Sequence, residues 1–195
     1  MFDQKKLGKL IRQHASWLYG AEAAALIEFA VALPLLVVLI VGIFDFGGAF
    51  NLKQELSNAV REGARFGASQ PSNDISATSL TPPSVDAIRF LVDSYLRRAK
   101  INDCGLSAIP EPAQAGGLVW VYTASTGCGG NALTLTIGRG VLIPVTANGL
   151  NLVCTNVHIT YPYQWHFNSV IQLLVPGANY SSTNILADAT AVNMD

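Results

Sequence analysis

Three groups of side chains in this sequence have types that could do chemistry: carboxylates beside an apolar run, three cysteines, and two histidines in a strand-rich region. Glu28 and Asp45 flank sixteen consecutive residues without a polar side chain, residues 29–44. A charged side chain within lipid costs about 2.5–3.5 kcal/mol at mid-helix, so it needs compensation. We expect Glu28 to pair with a basic group in an assembly; the alternative is that it snorkels toward the head groups or is protonated. Asp45 is expected to end the span.

The cysteines Cys104, Cys128 and Cys154 all follow the apolar run, at spacings of 24 and 26 residues. There is no Cys-x-x-Cys pair, which argues against a zinc or thioredoxin-like site. In an oxidising compartment two of the three would form a disulfide and one would remain. The alternative is three buried thiols, and the spacing does not choose a pair.

Motifs of known catalytic centres do not occur in the sequence. It has neither Gly-x-Ser-x-Gly nor His-Glu-x-x-His, no phosphate-binding loop and no acidic cluster with metal-ligand spacing. His158 falls in an alternating strand pattern and His166 in an aromatic turn, where we expect structural roles. We therefore expect no enzymatic activity, no cofactor and no metal. The formal net charge of −1 gives no reason to expect nucleic-acid binding.

The element that would position Glu28 and Asp45 is a membrane helix. About 20 residues span the hydrocarbon core of a bilayer, and residues 21–44 meet that length. The run is too long for the apolar core of a cleaved secretory signal, and a buried soluble helix would not need the basic leader that precedes it over 1–20. Pro34 is expected to bend the helix within the membrane.

The residues flanking the run indicate its orientation. The leader is basic, so the positive-inside rule places it in the cytoplasm and the C-terminal part outside. Aromatic residues on both sides suit the two bilayer interfaces: Trp17 and Tyr19 before the run, and less specifically Phe44, Phe46 and Phe50 after it. Residues 101–195 contain only five charged side chains, which fits an exported domain or one covered by partners.

The helical pattern continues beyond the membrane over residues 45–68. Apolar and small residues recur at three- and four-residue steps, and most charged residues lie off that stripe. The stripe comprises Leu52, Leu56, Ala59, Val60, Ala64 and Gly67. One helix is therefore predicted from about residue 22 to 68, apolar all round in its first half and amphipathic in its second.

The C-terminal part is predicted to be an α+β domain over residues 84–195, joined by a Pro/Ser/Thr-rich linker, 69–83. Ser84 is expected to open a helix over 84–100. Four later segments have the β-branched and aromatic composition of strands: 118–124, 132–138, 151–163 and 185–194. The fold class is α+β, a long N-terminal helix followed by a periplasmic domain with one helix packed on a small antiparallel sheet. The apolar segment 167–177 would cover the sheet edge or lie on the membrane surface.

Two stretches, "ALIEFAVALPLLVVLIVGIFDFGGAF" and "LSNAVREGARFGAS", resemble a known family. They are similar to the TadE-like pseudopilins of tight-adherence (Tad/Flp) pilus systems. That family shows V/I-E-F-A, an apolar stretch with a proline, G-I-x-D/E-F-G and then N-A-x-R-E-G-A-R. The resemblance covers about residues 23–69. "VHITYPYQW" and "ILADATAVNMD" near the C-terminus look similar to the family's last strands, whereas residues 70–155 resemble nothing we recognise.

The resemblance implies roles for individual residues. Glu28 would be the assembly carboxylate, which in pilins is thought to meet the N-terminal amine of a neighbouring subunit. Prepilin-type cleavage follows a glycine and leaves this glutamate fifth, but Gly20 would leave Glu28 eighth, so the cut would have to fall between Ala23 and Ala24. The remaining matched residues would act in helix packing: Phe29, Pro34, Asp45, Arg61, Glu62 and Arg65. For the last three, a solvated helix face is the alternative.

The function implied is that of a minor pseudopilin, a structural component in the assembly of a tight-adherence pilus. Its partners would be other pilins or pseudopilins, inner-membrane Tad assembly proteins and a prepilin peptidase. It would be a single-pass protein of the bacterial inner membrane, with a cytoplasmic N-terminus and a periplasmic domain, and would reach the cell surface if incorporated into a pilus. The alternative is a membrane-anchored periplasmic binding or adhesion domain that never enters a filament.

Overall fold

The structure is a computed structural model of the whole chain. It describes residues 21–75, 81–129, 131–145, 150–168, 172, 177 and 182–194. The predicted leader over 1–20, Asp195, part of the predicted linker and most of the segment 167–177 lie outside the described residues. Contacts divide the chain into two compact units: Met1–Asp45 with Phe167–Ala178, and Phe46–His166 with Asn179–Asp195.

A single helix, α1, covers Ala21–Ala68 and continues through Pro34. This is the long N-terminal helix predicted from the sequence. Apolar side chains of its first half are exposed, for example Leu26 at 69 % and Leu35 at 74 %. It is the one helix in the described part of the chain that is long and apolar enough to cross a membrane.

The second half of α1 buries the stripe of small and apolar residues. Leu56, Ala59, Val60 and Ala64 are fully or almost fully buried. Gly67 permits the closest approach, because a Cβ atom there would lie 2.6 Å from Cδ1 of Ile88 and 2.8 Å from Cγ2 of Thr155. The small residues therefore let other parts of the domain pack directly against the backbone of α1.

The second helix, α2, covers Pro83–Arg98, close to the predicted 84–100. Its amphipathic stripe faces α1 and the sheet, with Val85, Ile88, Val92 and Leu96 fully buried. Ser84 does not act as the N-cap that the sequence indicated, because Pro82 holds that position without a side-chain cap. Instead, the backbone N–H and the hydroxyl of Ser84 both donate to the carboxylate of Asp74.

The sheet is antiparallel, with its five strands in chain order. The strands are β1 Ala113–Gln114, β2 Val119–Ala124, β3 Leu133–Val145, β4 Leu150–Gln164 and β5 Ser182–Val192. A register shift between Arg139 and Val141 interrupts the β3–β4 pairing. The four longer strands correspond to the four predicted segments, and the two-residue β1 is additional.

Alternation along the strands separates a helix-covered face of the sheet from an open one. Residues of β2, β3 and β4 that face the helices are fully buried: Trp120, Tyr122, Leu133, Leu135, Ile137, Val157 and Ile159. On β5 the same alternation leaves Ala187 buried and Leu186 half exposed. The α+β fold class predicted from the sequence is confirmed.

Candidate functional site

Glu28 lies on the first half of α1, where it is exposed like its apolar neighbours. Phe29, the next residue, is 62 % exposed. Among the residues that the structure describes, none forms an ion pair with Glu28. The helix thus presents a carboxylate on an otherwise apolar outer surface.

Ala23 and Ala24, the candidate cleavage position, lie in the first turn of α1. Ala24 is exposed and Ala23 half-buried. Cleavage between them would remove the first three residues of the helix and place a free amine one turn before Glu28.

Asp45 differs from Glu28 in being only 5 % exposed. One of its oxygens accepts a hydrogen bond of 2.7 Å from the backbone N–H of Phe167. Both residues belong to the same compact unit, which joins Met1–Asp45 with Phe167–Ala178. Asp45 therefore fastens the start of a distant chain segment to the helix, a contact for which the sequence holds no signal.

The motif "NAVREGAR" divides into two faces. Its small residues point inward: a Cβ atom added to Gly63 would lie 3.0 Å from Cγ2 of Val92. Its charged residues Arg61, Glu62 and Arg65 are exposed. They border a groove of about 450 Å³ that is also lined by Ala189–Ala191 of β5. The charged face is accordingly available to solvent or to another subunit, while the small-residue face is used within the domain.

The structure joins Cys104 to Cys128, with a Cα–Cα distance of 5.4 Å, and leaves Cys154 as a buried free thiol. Cys104 follows α2 and has a positive φ of 51°. Cys128 lies in the turn between β2 and β3. The disulfide therefore ties the end of the helix layer to one end of the sheet.

His158 lies on the open face of the sheet between two polar residues. Its Nδ1 is 3.5 Å from a carboxylate oxygen of Asp188, and its Nε2 is 3.3 Å from the Thr160 hydroxyl. This carboxylate–imidazole–hydroxyl order is known from nucleophilic catalysis. Here, however, Asn156 also donates to Asp188, and all four residues are neighbours in the β4–β5 ladder. The geometry is that of a cross-strand polar cluster.

Metal-ligating side chains do not gather in the described ranges, which contain no group of three or more His, Cys, Asp or Glu suited to a metal ion. The sequence-predicted site residues form no common centre either. Glu28 and Asp45 lie 17 positions apart on one helix, about 26 Å along its axis. What they share is α1, whose exposed apolar first half is the candidate functional site.

Tyr163, near the end of β4, and Trp165, just after it, lie beside α1. Trp165 follows the last residue of β4 and lies against Phe46 of α1, with ring centroids 5.2 Å apart. Tyr163 packs edge-on against Trp165 at 5.0 Å. The aromatic spacing in "YPYQW" is the one sequence signal for these ring contacts. No pattern in the sequence indicates that Trp165 contacts Phe46.

Comparison with known proteins identifies one similarity. Residues 23–65 match the family model described as TadE-like protein. The match includes Glu28, Asp45 and Arg65, and confirms the resemblance over this segment of α1. No curated protein and no solved structure matches the chain significantly.

Proposed function

From the TadE-like segment at residues 23–65 we propose that this protein is a minor pseudopilin, a structural component in the assembly of a tight-adherence pilus. One observation carries the proposal. The matching segment is a single helix whose first half exposes its apolar side chains and whose second half is built into a folded domain. Such a helix is suited to pack against other helices in a membrane or filament core while it carries the domain outside.

The proposed location is the bacterial inner membrane, with the N-terminus in the cytoplasm and the domain in the periplasm. The apolar surface of the first half of α1 supports membrane insertion, and the basic residues before it support this orientation. The Cys104–Cys128 disulfide also supports export, since disulfides persist in oxidising compartments. The proposed partners are other pilins or pseudopilins and the inner-membrane Tad assembly proteins.

Glu28 is the proposed assembly determinant. Its exposed carboxylate is costly within lipid unless a basic group neutralises it. If a prepilin peptidase cuts between Ala23 and Ala24, the new amine of a neighbouring subunit supplies that group. If the leader stays, a basic side chain of a partner must do so. The proposed work of the protein is helix packing, without a catalytic step or a cofactor.

The test replaces Glu28 in the bacterium that encodes this chain and counts surface pili by electron microscopy. Glu28→Ala should abolish or strongly reduce piliation while the protein remains in the membrane fraction, because the basic group of the neighbouring subunit loses the carboxylate with which it pairs. Glu55→Ala removes a half-buried carboxylate from the same helix, outside the membrane, at a residue without an assigned role in assembly, and serves as the matched control. Normal piliation with Glu28→Ala would contradict the pairing role.

Two further measurements separate the proposed role from its rival. Mass spectrometry of the mature protein should show Ala24 as the first residue if prepilin processing occurs. Deletion of the gene should prevent pilus formation. Pili that assemble normally without the protein would instead favour an anchored periplasmic binding or adhesion domain.

A further inference from the structure

Three aromatic side chains cluster where α1 enters the second compact unit. The rings of Phe46 and Trp165 meet at 5.2 Å with an interplanar angle of 63°, and those of Tyr163 and Trp165 at 5.0 Å and 84°. Both arrangements are edge-to-face, the geometry that aromatic pairs prefer. Residues from α1 and from the end of β4 thereby form one aromatic surface, called here the aromatic cluster.

Local contacts hold this cluster in place. The Trp165 indole N–H donates to the hydroxyl of Thr183, at the start of β5, over 2.8 Å. Gly48 gives Tyr163 room against α1, because a Cβ atom at that position would lie 3.1 Å from the Tyr163 hydroxyl oxygen. The orientation of the cluster is thus set by the helix and the sheet together.

The cluster is not buried by the domain. Phe46 is 54 % exposed, and Phe50, one turn further along α1, is 70 % exposed. Tyr163 and Trp165 are half-buried. Neither residues 46–52 nor residues 156–166 contain an Asp, Glu, Lys or Arg. An uncharged aromatic surface of this kind suits contact with a layer that accepts both apolar and polar groups.

The position of Phe46 and Phe50 along α1 indicates that this layer is the head-group region of the membrane. Phe44 is the last residue of the apolar run, so Phe46 lies about 3 Å and Phe50 about 9 Å beyond it along the axis. The polar head-group layer occupies roughly 5–8 Å on each side of the hydrocarbon core. By its position along α1, Phe46 therefore lies at the depth where tryptophan and tyrosine are enriched, and Trp165 and Tyr163 pack beside it within the same unit.

We propose that Phe46, Tyr163 and Trp165 insert into the outer head-group layer and hold the domain against the lipid surface. This inference rests on the proposed membrane span of α1. Because Trp165 comes from the end of β4, the contact with lipid restricts the tilt of the whole sheet, which the single helix could not do alone.

The experiment measures quenching of tryptophan fluorescence by brominated lipids in vesicles that contain the full chain. Trp17→Phe first removes the tryptophan of the leader. Trp120 then reports a fully buried site and serves as the internal baseline. A phosphatidylcholine brominated on the acyl chains near the head group should quench the Trp17→Phe protein, and this quenching should be lost in Trp17→Phe/Trp165→Phe.

A tryptophan at the other end of the sheet provides the matched control. Leu142 is 59 % exposed and pairs with Val153, ten residues before Tyr163 on β4. At about 3.3 Å per residue the two sites are about 33 Å apart. Leu142→Trp, added to Trp17→Phe/Trp165→Phe, should restore exposed fluorescence without restoring the quenching.

The outcomes separate the two levels of the proposal. Protein that floats with the vesicles but shows no Trp165-dependent quenching would overturn lipid docking and leave the span intact; a neighbouring subunit would then be the partner of the cluster. Protein that does not float with the vesicles would overturn the span and, with it, the docking. Quenching of the Leu142→Trp variant to the same extent would also overturn docking, because the contact would not be specific to the cluster.

Discussion

The carboxylate of Asp45 accepts a hydrogen bond from the backbone N–H of Phe167, although the two residues are 122 positions apart. The carboxylate is almost fully buried, so water does not readily replace this bond. A residue that reads in the sequence as the polar end of an apolar run is thus a fixed acceptor for a returning chain segment.

Replacement of Asp45 by alanine should loosen that segment. A part-buried N–H that loses its acceptor costs up to about 1–3 kcal/mol, so amide exchange of the peptide that contains Phe167 should accelerate by up to roughly tenfold. Asp45→Asn, which retains an acceptor oxygen, should have a smaller effect. Hydrogen–deuterium exchange of the full chain in lipid measures both, and Glu28→Ala on the same helix is the control. Equal exchange in wild type and Asp45→Ala would show that the bond does not hold the segment.

Glycine-to-alanine changes along α1 should have opposite effects at different positions. At Gly67 the new methyl group would overlap Ile88 and Thr155, and overpacking of this kind costs about 1–3 kcal/mol. At Gly47 nothing lies within 4 Å, so the helix propensity of alanine should stabilise the helix by up to about 1 kcal/mol. Thermal unfolding of each full-length variant in detergent should therefore show a midpoint below that of the wild type for Gly67→Ala and not for Gly47→Ala. A midpoint for Gly67→Ala at or above that of the wild type would show that the packing there is loose.

Loss of the disulfide should destabilise the domain by about 3–4 kcal/mol, the loop-closure value for Cys104 and Cys128, which are 24 positions apart. Cys104→Ser/Cys128→Ser should unfold at a lower temperature than the wild type, and a reductant should no longer affect its unfolding temperature.

Thiol titration of the wild-type protein should detect one free thiol, Cys154, and only after denaturation because this side chain is fully buried. Two or more thiols reactive in the native protein would contradict the pairing.

The domain should become less stable as the pH rises from about 4 to 6, because of Asp93. Burial, together with the hydrogen bond and the charge of Asp103, raises the pKa of Asp93 from 3.8 to about 6, against the opposing charges of Arg97 and Arg89. The folded state therefore holds a proton that the unfolded state releases in this range, so the free energy of unfolding falls until the pH passes about 6. Burial alone would raise the pKa of Asp103, but hydrogen bonds, including one from Asp93, lower this pKa below its usual value. The stability that the ionised Asp103 contributes to the folded state is therefore lost only below about pH 4.

Asp93→Asn tests this assignment. It should remove the slope between pH 4 and 6 and raise the free energy of unfolding at pH 7 by about 1–3 kcal/mol. Denaturant unfolding at a series of pH values measures the effect. Asp188→Asn, which changes an exposed carboxylate on the open face of the sheet, should leave the slope in place. A slope that survives in Asp93→Asn would assign the pH dependence to another group.

Secondary structure with strong local periodicity was predictable, whereas its extensions were not. The α2 helix was placed within two residues at either end. The prediction for β3 stopped at residue 138, but the strand continues to Val145 through Pro144. Beyond Arg139 this strand pairs only with β4, so it is an edge strand, where a proline is tolerated. The residues of this extension, 141–145, are largely β-branched, but Gly140 and Pro144 interrupt the strand pattern, and pairing with residues 150–154 completes the strand.

The sequence by itself determined α1, because an apolar run and a stripe of small residues are local patterns that one helix satisfies along its own length. It also indicated the family resemblance, which rests on that same helix. Only the tertiary structure decided that Cys104 pairs with Cys128, that Asp45 binds Phe167 and that Trp165 meets Phe46. Each of these contacts joins residues far apart in the chain, and the register of the strands and the packing of the helices bring them together. No spacing in the sequence encodes that register.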